Sequence, residues 1–279
     1  MSQTTGDMQA WCYYQFNVCD APPLIQINES DWFSPKPEGG VAPQPSGETI
    51  NVLHLSDWHL DPRYDIGSEA NCTSALCCRP DSINTVLGTG SSNASVLASR
   101  FGSLLCDTPA DLALSVFTEM PNFVNMSDIS FSIFTGDIVS HDLVDQLSRA
   151  YVEYEEVVSF QTFQAWLGNI VTLLLSSTDL AFISTLGNHD SLPEAFNTPN
   201  SLRPGPNEFS WNYELLSSLW LSAGWINAST ASYSATHYGA YAYTTPQGLK
   251  IVSLNTDFWY VDNVFSKSSC NCPLTVRLL

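Results

Sequence analysis

Three short motifs in the sequence carry residue types that bind divalent ions. The first is "SDWHLDP", with Asp57 and His59 two residues apart, and the second is "TGDIVSHD", which contains Asp137. The third is "GNHD", which contains Asn188 and His189. Together they offer carboxylate, imidazole and amide ligands, a mixture that suits a borderline divalent ion such as Zn²⁺, Mn²⁺ or Fe²⁺.

The spacing within the motifs indicates how such ions would be held. Asp57 and His59 are two residues apart, so in extended backbone their side chains point to one side and could close on one ion. Asp137 has two carboxylate oxygens and could bridge two ions, and Gly136 before it allows close backbone approach. A neutral Asn188 would limit the negative charge at a second ion. Paired ions can bind both the attacking and the leaving oxygen in phosphoryl transfer.

Each motif follows an apolar, strand-like run, and helix-like segments separate these runs. The strand-like runs are residues 50–56, 128–137 and 180–190, and the helix-like segments are residues 106–120, 142–175 and 211–225. This alternation predicts an α/β fold with some parallel strands, whose carboxyl ends would bring the motifs side by side. The later run "YAYTTPQGLKIVSL" predicts a hairpin, and therefore an antiparallel edge on a mixed sheet.

Two further local patterns give structural expectations. Segment 106–120 carries a helix-start signal, with Thr108 as the N-cap, Pro109 at the first helical position and Asp111 completing a capping box. Asp61 and Asp190 flank the candidate ligands. We expect these two carboxylates to hydrogen-bond loops or to orient ligands rather than to bind metal directly.

The composition bears on the class of function and on the compartment. The chain of 279 residues has nine Lys and Arg residues and a net charge of −19, so it lacks the basic face of a nucleic-acid-binding protein. Eight cysteines and five N-x-S/T sequons favour the secretory route, and thus an extracellular or lysosome-like location. The sequons lie at Asn28, Asn71, Asn93, Asn125 and Asn227. The printed N-terminus lacks signal-peptide features, so we expect the true start to lie upstream.

The ordered set D-x-H, G-D and G-N-H-D resembles the calcineurin-like metallophosphoesterase family, over residues 50 to 260. The segments "DWHLDPRYDIGSEANCTSALCCRP", "TGDIVSHD" and "LCDTP" are similar to acid sphingomyelinases within that family. This resemblance implies a metallophosphoesterase-type α/β/β/α sandwich with mixed sheets. It also implies three regions: a remnant of a saposin-B-type domain at 1–22, a proline-rich linker at 23–49 and the metallophosphoesterase domain at 50–279.

The resemblance assigns a role to each candidate site residue. Asp57 and His59 match ligands of a first zinc ion, Asp137 matches the bridging ligand, and Asn188 matches a ligand of the second zinc ion. His189 matches a residue that contacts the phosphate or protonates the leaving alkoxide. His141, in "GDIVSHD", matches a histidine that holds the phosphate in the transition state.

The resemblance also implies a disulfide pattern. It implies the disulfides Cys72–Cys77 and Cys78–Cys106. Cys12 and Cys19 would pair with upstream cysteines. Spacing alone leaves every one of these pairings open.

The implied activity is hydrolysis of sphingomyelin to ceramide and phosphocholine through a dizinc-bound hydroxide, with peripheral membrane contact. A phosphodiesterase acting on nucleotides or other soluble phosphoesters is one alternative, and an inactive fragment or non-catalytic binding protein is another. The family carries three more histidine ligands in a later G-H motif and a later G-H-x-H motif, and the printed sequence has neither. We therefore expect the C-terminal part of the domain to be missing, which would weaken metal binding and activity.

Overall fold

The computed structural model describes most of the chain from residue 44 to residue 260. The described residues are 9, 12–21, 35, 44–142, 148–174, 181–197, 210–260, 262, 263 and 265. Most of the predicted linker 23–49, the predicted helical residues 143–147, and Cys270 and Cys272 lie outside them.

A parallel three-stranded sheet forms the centre of the fold. Its strands are β1 (Asn51–Leu55), β4 (Ile129–Phe134) and β5 (Ala181–Ser184), in the order β1-β4-β5. Leu55 pairs with Phe134, and Phe134 pairs with Ser184, so the three strands end level with one another. The sequence prediction of parallel strands that end side by side is confirmed, and each candidate motif leaves the same edge of this sheet.

The described residues include four α-helices. They are α1 (Ala110–Phe123), α2 (Arg149–Leu174), α3 (Ser210–Ser222) and α4 (Ala228–Thr236). Short helical turns occur at Cys12–Phe16, Met126–Asp128 and Thr256–Trp259. Among the described residues, no helix combines the length and the apolar character needed to cross a bilayer.

The start of α1 differs from the prediction. Its N-cap is Pro109, which makes no side-chain capping bond, and the helix begins at Ala110. Thr108 instead forms a parallel bridge with Leu60: its backbone N–H donates to the His59 carbonyl at 3.0 Å, and its carbonyl accepts from Asp61 N–H at 2.9 Å. Because these bonds require extended pairing, Thr108 belongs to the loop beside the site rather than to the helix.

Helix α4 was not predicted, because its sequence "ASTASYSAT" lacks an apolar stripe. Only Ala231 and Ser234 of this helix are buried. Asn227 caps it by accepting a hydrogen bond from Thr230 N–H at 2.9 Å. The capping signal was present in the sequence, but Asn227 was interpreted only as a sequon.

The predicted late hairpin forms, but it does not join the parallel sheet. Strands β6 (Tyr241–Thr244) and β7 (Lys250–Ser253) pair antiparallel, and among the described strands they make a sheet of their own. The Tyr241 hydroxyl accepts from Ser184 N–H at 3.0 Å and donates to the Ser184 carbonyl at 2.7 Å. Since a side chain satisfies the Ser184 backbone at the end of β5, the hairpin contacts the parallel sheet without extending its ladder. The predicted antiparallel edge is therefore wrong for the described strands.

An aromatic core lies under the edge of the sheet that carries the motifs. Trp58 is 7% exposed, and its ring lies 5.0 Å from both the Phe117 and Phe163 rings. Phe163 also lies 5.2 Å from Phe134 of β4 and 5.7 Å from Phe182 of β5. Because Trp58 is buried in this core, it anchors the chain between the two candidate ligands that flank it in sequence.

The cysteine-rich loop that follows β1 contains the short antiparallel pair β2 (Ile83–Asn84) and β3 (Thr89–Gly90). The implied disulfides Cys72–Cys77 and Cys78–Cys106 are both present. Cys12, however, bonds Cys19, with their Cα atoms 5.5 Å apart. The expectation of upstream partners for these two cysteines is therefore wrong, because the helical turn at Cys12–Phe16 brings them together locally.

A buried carboxylate organises the same loop. Glu69 is fully buried and accepts hydrogen bonds from Thr89 Oγ1 at 2.5 Å, Ser95 N–H at 2.7 Å and Asn71 N–H at 3.0 Å. Burial raises the pKa of Glu69, but these hydrogen bonds outweigh it and lower the pKa to about 2. The carboxylate therefore joins three segments of a loop that has little regular secondary structure.

Candidate functional site

The first motif leaves β1 and follows the loop after β4. Asp57 N–H donates to the Gly136 carbonyl, and His59 N–H donates to the Asp137 carbonyl, both at 3.0 Å. Asp57 has φ 54° and His59 has φ 38°, so the backbone is left-handed rather than extended at both residues. The predicted convergence of the two side chains occurs, but it is reached by this turn and by the burial of Trp58. Left-handed backbone at non-glycine residues is costly and is concentrated at functional sites.

The donor atoms of Asp57, His59 and Asp137 form a compact group. One ligand atom from each lies within 4.8 Å of the others, and His59 Nε2 is 3.9 Å from Asp57 Oδ1. His59 Nδ1 lies 2.7 Å from the Val139 carbonyl oxygen, which accepts a hydrogen bond from Nδ1–H. The lone pair of the neutral imidazole is therefore on Nε2. A backbone partner that fixes the imidazole in this way is typical of histidine ligands of metals. The three residues therefore fit a divalent ion.

The approach of the second and third motifs depends on two glycines. A Cβ atom added at Gly187 would lie 2.2 Å from both the backbone nitrogen and Oδ1 of Asp137. A Cβ atom added at Gly136, where φ is 94°, would lie 2.2 Å from the Gly187 nitrogen. The prediction that Gly136 permits close backbone approach is confirmed, and Gly187 is required for the same reason.

Asp190 joins these two loops through their backbone amides. Its Oδ1 accepts from Ile138 N–H at 2.7 Å and Val139 N–H at 3.3 Å, and its Oδ2 accepts from Asp137 N–H at 3.0 Å and Gly187 N–H at 2.8 Å. Burial raises the pKa of Asp190 to about 7, with a further contribution from the Asp137 charge, while the amide donors act in the opposite direction. As expected, Asp190 holds loops in place.

His141 is held by a carboxylate that the sequence reasoning did not select. Asp107 Oδ2 accepts from His141 N–H at 2.5 Å, and Asp107 Oδ1 lies 2.8 Å from His141 Nδ1. The Asp107 side chain is only 8% exposed. Hydrogen bonding to Asp107 raises the pKa of His141. The available signal was the segment "LCDTP", which contributes to the family resemblance but by itself assigns no role to Asp107.

The third motif brings Asn188 and His189 to the same edge. His189 N–H donates to Asp137 Oδ1 at 2.9 Å, and its imidazole Nε2 lies 3.4 Å from Glu194 Oε1. Asn188 Nδ2 donates to the same Glu194 oxygen at 3.3 Å, which leaves its amide oxygen for another partner. Burial lowers the pKa of His189, and the neighbouring Glu194 opposes that effect. No sequence pattern had indicated Glu194.

The three histidines of the site pack against one another. The ring centroids of His59 and His141 are 3.8 Å apart, those of His141 and His189 are 4.3 Å apart, and those of His59 and His189 are 5.0 Å apart. The structure thus gathers candidate ligands and candidate proton-transfer residues from three separate motifs. His237 lies outside this group and stacks on Tyr233, with ring centroids 3.7 Å apart.

An ion-pair network ties the cysteine-rich loop to the site. Arg79 is 4% exposed; its Nε lies 2.9 Å from Asp61 Oδ2, and its Nη1 pairs with Asp142. Arg63 also pairs with Asp142, and Asp61 Oδ1 accepts from Arg63 N–H at 2.9 Å. Asp61 follows the first motif and Asp142 follows His141. Arg79 therefore fixes both loops to the disulfide-bonded segment, and Asp61 acts as expected, as a partner of loops.

Comparison with known proteins identifies relatives of this chain. No family model matches the chain. Sphingomyelin phosphodiesterase B from Dictyostelium discoideum is 29% identical over 260 residues, which cover 91% of this chain and 36% of that protein. Sphingomyelin phosphodiesterase 2 from Caenorhabditis elegans is 29% identical over 75% of this chain and 33% of its own length. Cyclic GMP-AMP phosphodiesterase SMPDL3A from Homo sapiens is 30% identical over 82% of this chain and 43% of its own length.

The fold and the site together define the general class of this protein. It is an α/β protein with carboxylate and imidazole groups at the carboxyl edge of its parallel strands, where α/β enzymes bind their ligands. Within that class, the chain belongs to the acid sphingomyelinase-like phosphodiesterase family. It spans between 33% and 43% of the length of these relatives.

Proposed function

We propose that this chain carries metal ligands and phosphate-contacting residues of a metal-dependent phosphodiesterase that hydrolyses sphingomyelin to ceramide and phosphocholine. The observation that carries the proposal is the group of Asp57, His59 and Asp137 donor atoms, all within 4.8 Å of one another. The names of the relatives, sphingomyelin phosphodiesterases and a cyclic GMP-AMP phosphodiesterase, support phosphodiester chemistry.

In this proposal Asp57 and His59 would hold a first ion, Asn188 would hold a second ion, and Asp137 would be the ligand that the two ions share. Zinc is the proposed ion, with Mn²⁺ or Fe²⁺ as substitutes. The bound ions would supply charge stabilisation for phosphoryl oxygens and a water of lowered pKa as nucleophile. The residues fit this purpose because His59 presents Nε2 beside Asp57, with its other nitrogen occupied by the Val139 carbonyl.

The two remaining histidines act on the phosphate and on the leaving group. The hydrogen bond that His141 Nδ1 donates to Asp107 keeps the imidazole oriented and raises its pKa, which favours the protonated form that can donate to a phosphoryl oxygen. Burial lowers the pKa of His189, which makes its imidazolium a stronger acid. A stronger acid is suited to protonating the leaving alkoxide.

The larger architecture follows from the same family membership. We propose that the parallel sheet is one layer of a metallophosphoesterase-type α/β/β/α sandwich, within a domain at 50–279. Residues 1–22 and 23–49 are proposed as the end of a saposin-B-type domain and its linker.

We further propose a secreted or lysosome-like glycoprotein that contacts membranes peripherally. Four sequon residues support this, since Asn71, Asn93, Asn125 and Asn227 are all exposed.

The test is a comparison of three substrates with the full chain, produced through a eukaryotic secretory pathway and loaded with Zn²⁺. Bis(4-nitrophenyl) phosphate reports phosphodiesterase activity of any specificity, sphingomyelin in mixed micelles reports the lipid reaction, and cyclic GMP-AMP reports the soluble alternative. Asp137→Asn should lower each detectable rate by roughly 100-fold or more, because it removes charge at the bridging position. Asp128→Asn, at an exposed residue, is the matched control.

Each outcome has a distinct meaning. Turnover of sphingomyelin that EDTA abolishes supports the proposal. If the chain cleaves cyclic GMP-AMP but not sphingomyelin, the alternative of a phosphodiesterase acting on soluble phosphoesters is favoured. A folded chain that binds no zinc and cleaves none of the three substrates would instead be a non-catalytic protein.

A further inference from the structure

The three histidines of the site form a second group of potential metal ligands, distinct from the carboxylate group. One ring nitrogen from each of His59, His141 and His189 lies within 4.8 Å of the others. Only His59 is common to both groups. In the proposed reaction His141 and His189 serve the phosphate and the leaving group, so the proposed chemistry leaves their capacity to bind metal unused.

In two of the three imidazoles Nδ1 is occupied by a hydrogen-bond partner, so Nε2 is the nitrogen available to a metal ion. The Val139 carbonyl oxygen lies 2.7 Å from His59 Nδ1, and Asp107 Oδ1 lies 2.8 Å from His141 Nδ1. Each partner accepts a hydrogen bond from Nδ1–H, so the lone pair of the neutral imidazole is on Nε2. A carbonyl or carboxylate behind a histidine is the usual outer partner of a metal-binding imidazole.

The size of the group is close to that of a zinc site. With Zn–N distances of about 2.0–2.1 Å in tetrahedral geometry, ligand nitrogens stand about 3.4 Å apart. Small side-chain rotations would bring nitrogens within 4.8 Å of one another to that separation. The His141 side chain is 48% exposed, so its imidazole is accessible to an ion from solvent.

The surroundings also favour a cation. Asp137 and Glu194 both act electrostatically on His141 and on His189, and both are acidic. Three neutral imidazoles bring no charge of their own, so a divalent ion among them would be balanced by these carboxylates. Imidazole ligands favour Zn²⁺, Co²⁺ or Ni²⁺, whereas carboxylate-rich groups accept Mn²⁺ readily.

We propose that His59, His141 and His189 form an alternative, inhibitory site for a divalent ion of the Zn²⁺, Co²⁺ or Ni²⁺ type. His59 Nε2 has one lone pair and cannot serve both groups, so an ion among the histidines competes with an ion held by Asp57 and Asp137. An ion in the trihistidine position also withdraws His141 and His189 from the phosphate. The inhibition rests on the proposed function, whereas binding of the ion does not.

Cobalt binding separates the two positions without any measurement of activity. The full chain is titrated with Co²⁺ while visible absorption and heat are recorded. The double variant Asp57→Asn/Asp137→Asn should keep one Co²⁺ with intense tetrahedral d–d bands. The double variant His141→Gln/His189→Gln should lose those bands. The variant His237→Gln, which changes a histidine that stacks on Tyr233 outside the group, is the control and should bind as the wild type does.

Asp107→Asn provides an independent check with a smaller structural change. It replaces only the outer partner of His141, and it should weaken Co²⁺ binding by about 10-fold to 100-fold while the circular dichroism spectrum stays unchanged. Unchanged Co²⁺ stoichiometry, affinity and spectrum in His141→Gln/His189→Gln would overturn the trihistidine site.

The two proposals fail in different ways. If Asp57→Asn/Asp137→Asn binds as many ions as the wild type, and the Mn²⁺-loaded wild type cleaves no phosphodiester, the proposed function fails while the trihistidine site stands. If the Mn²⁺-loaded chain is active, Ni²⁺ is added at about ten times the Mn²⁺ concentration. If the rate then stays unchanged, the inhibitory role is wrong and the proposed function stands.

Discussion

Replacing Asp190 with asparagine tests whether one buried carboxylate holds the candidate site together. In the folded chain its two oxygens accept four backbone N–H groups, from Asp137, Ile138, Val139 and Gly187. Asparagine has the same shape, but it offers one oxygen and one NH₂ group. In either orientation of the amide, two of the four backbone donors would face another donor.

The magnitude follows from the number of donors that lose a partner. A buried donor left without an acceptor costs about 1–3 kcal/mol, so two such donors cost roughly 2–6 kcal/mol. With a urea m-value of about 2 kcal/mol/M, the midpoint of unfolding should fall by roughly 1–3 M. This is a large part of the stability of a typical domain, which is about 5–15 kcal/mol.

The assay is urea unfolding of the oxidised protein at pH 8, followed by tryptophan fluorescence. At this pH the carboxylate is ionised, since burial raises the pKa of Asp190 only to about 7. Asp128→Asn is the control, because Asp128 is exposed and this substitution should change the free energy of unfolding by less than about 0.5 kcal/mol. If the midpoint of Asp190→Asn matches that of the control, burial rather than hydrogen bonding dominates at this position, and the reasoning is refuted.

Two further predictions concern buried charges away from the ligands. Arg79→Met removes a partner from the buried carboxylates Asp61 and Asp142 and should lower the free energy of unfolding by about 3 kcal/mol. Arg100→Met, at an exposed ion pair, should leave the midpoint of the same urea assay close to that of the wild type. Burial raises the pKa of Glu155 from 4.5 to about 7, so its contribution to stability is complete below pH 4.5 and is lost as the pH rises to 7, a difference on the order of 3 kcal/mol. Glu155→Gln should flatten the decline in stability over that interval, and an unchanged slope in urea midpoints against pH would show that Glu155 is not its source.

The candidate site was largely predictable from motif chemistry, but its supporting residues were not. The sequence indicated Asp57, His59 and Asp137 through residue type and position after strands, and the structure gathers their donor atoms. It gave no role to Asp107 or Glu194, because a carboxylate that orients a distant histidine has no local pattern. Their metal-binding and catalytic roles stay predictions until the metal and substrate measurements are made.

Backbone conformation was the point at which local reasoning failed. Residues two apart were expected to converge in extended backbone, whereas Asp57 and His59 both adopt positive φ. Similarly, Thr108 has the chemistry of a helix cap but pairs with Leu60 instead. In both cases backbone pairing with neighbouring loops outweighs local propensity, and those pairings join residues far apart in sequence.

The sequence by itself determined the alternation of strands and helices and the chemical types available at each strand end. Apolar periodicity and residue type are local properties, so they can be read without the fold. The tertiary structure alone decided that Gly136 and Gly187 approach closely enough to exclude a Cβ atom, that Arg79 locks two loops, and that three imidazoles pack together. These features depend on contacts between segments tens of residues apart, whose distances are set only when the sheet and its aromatic core assemble.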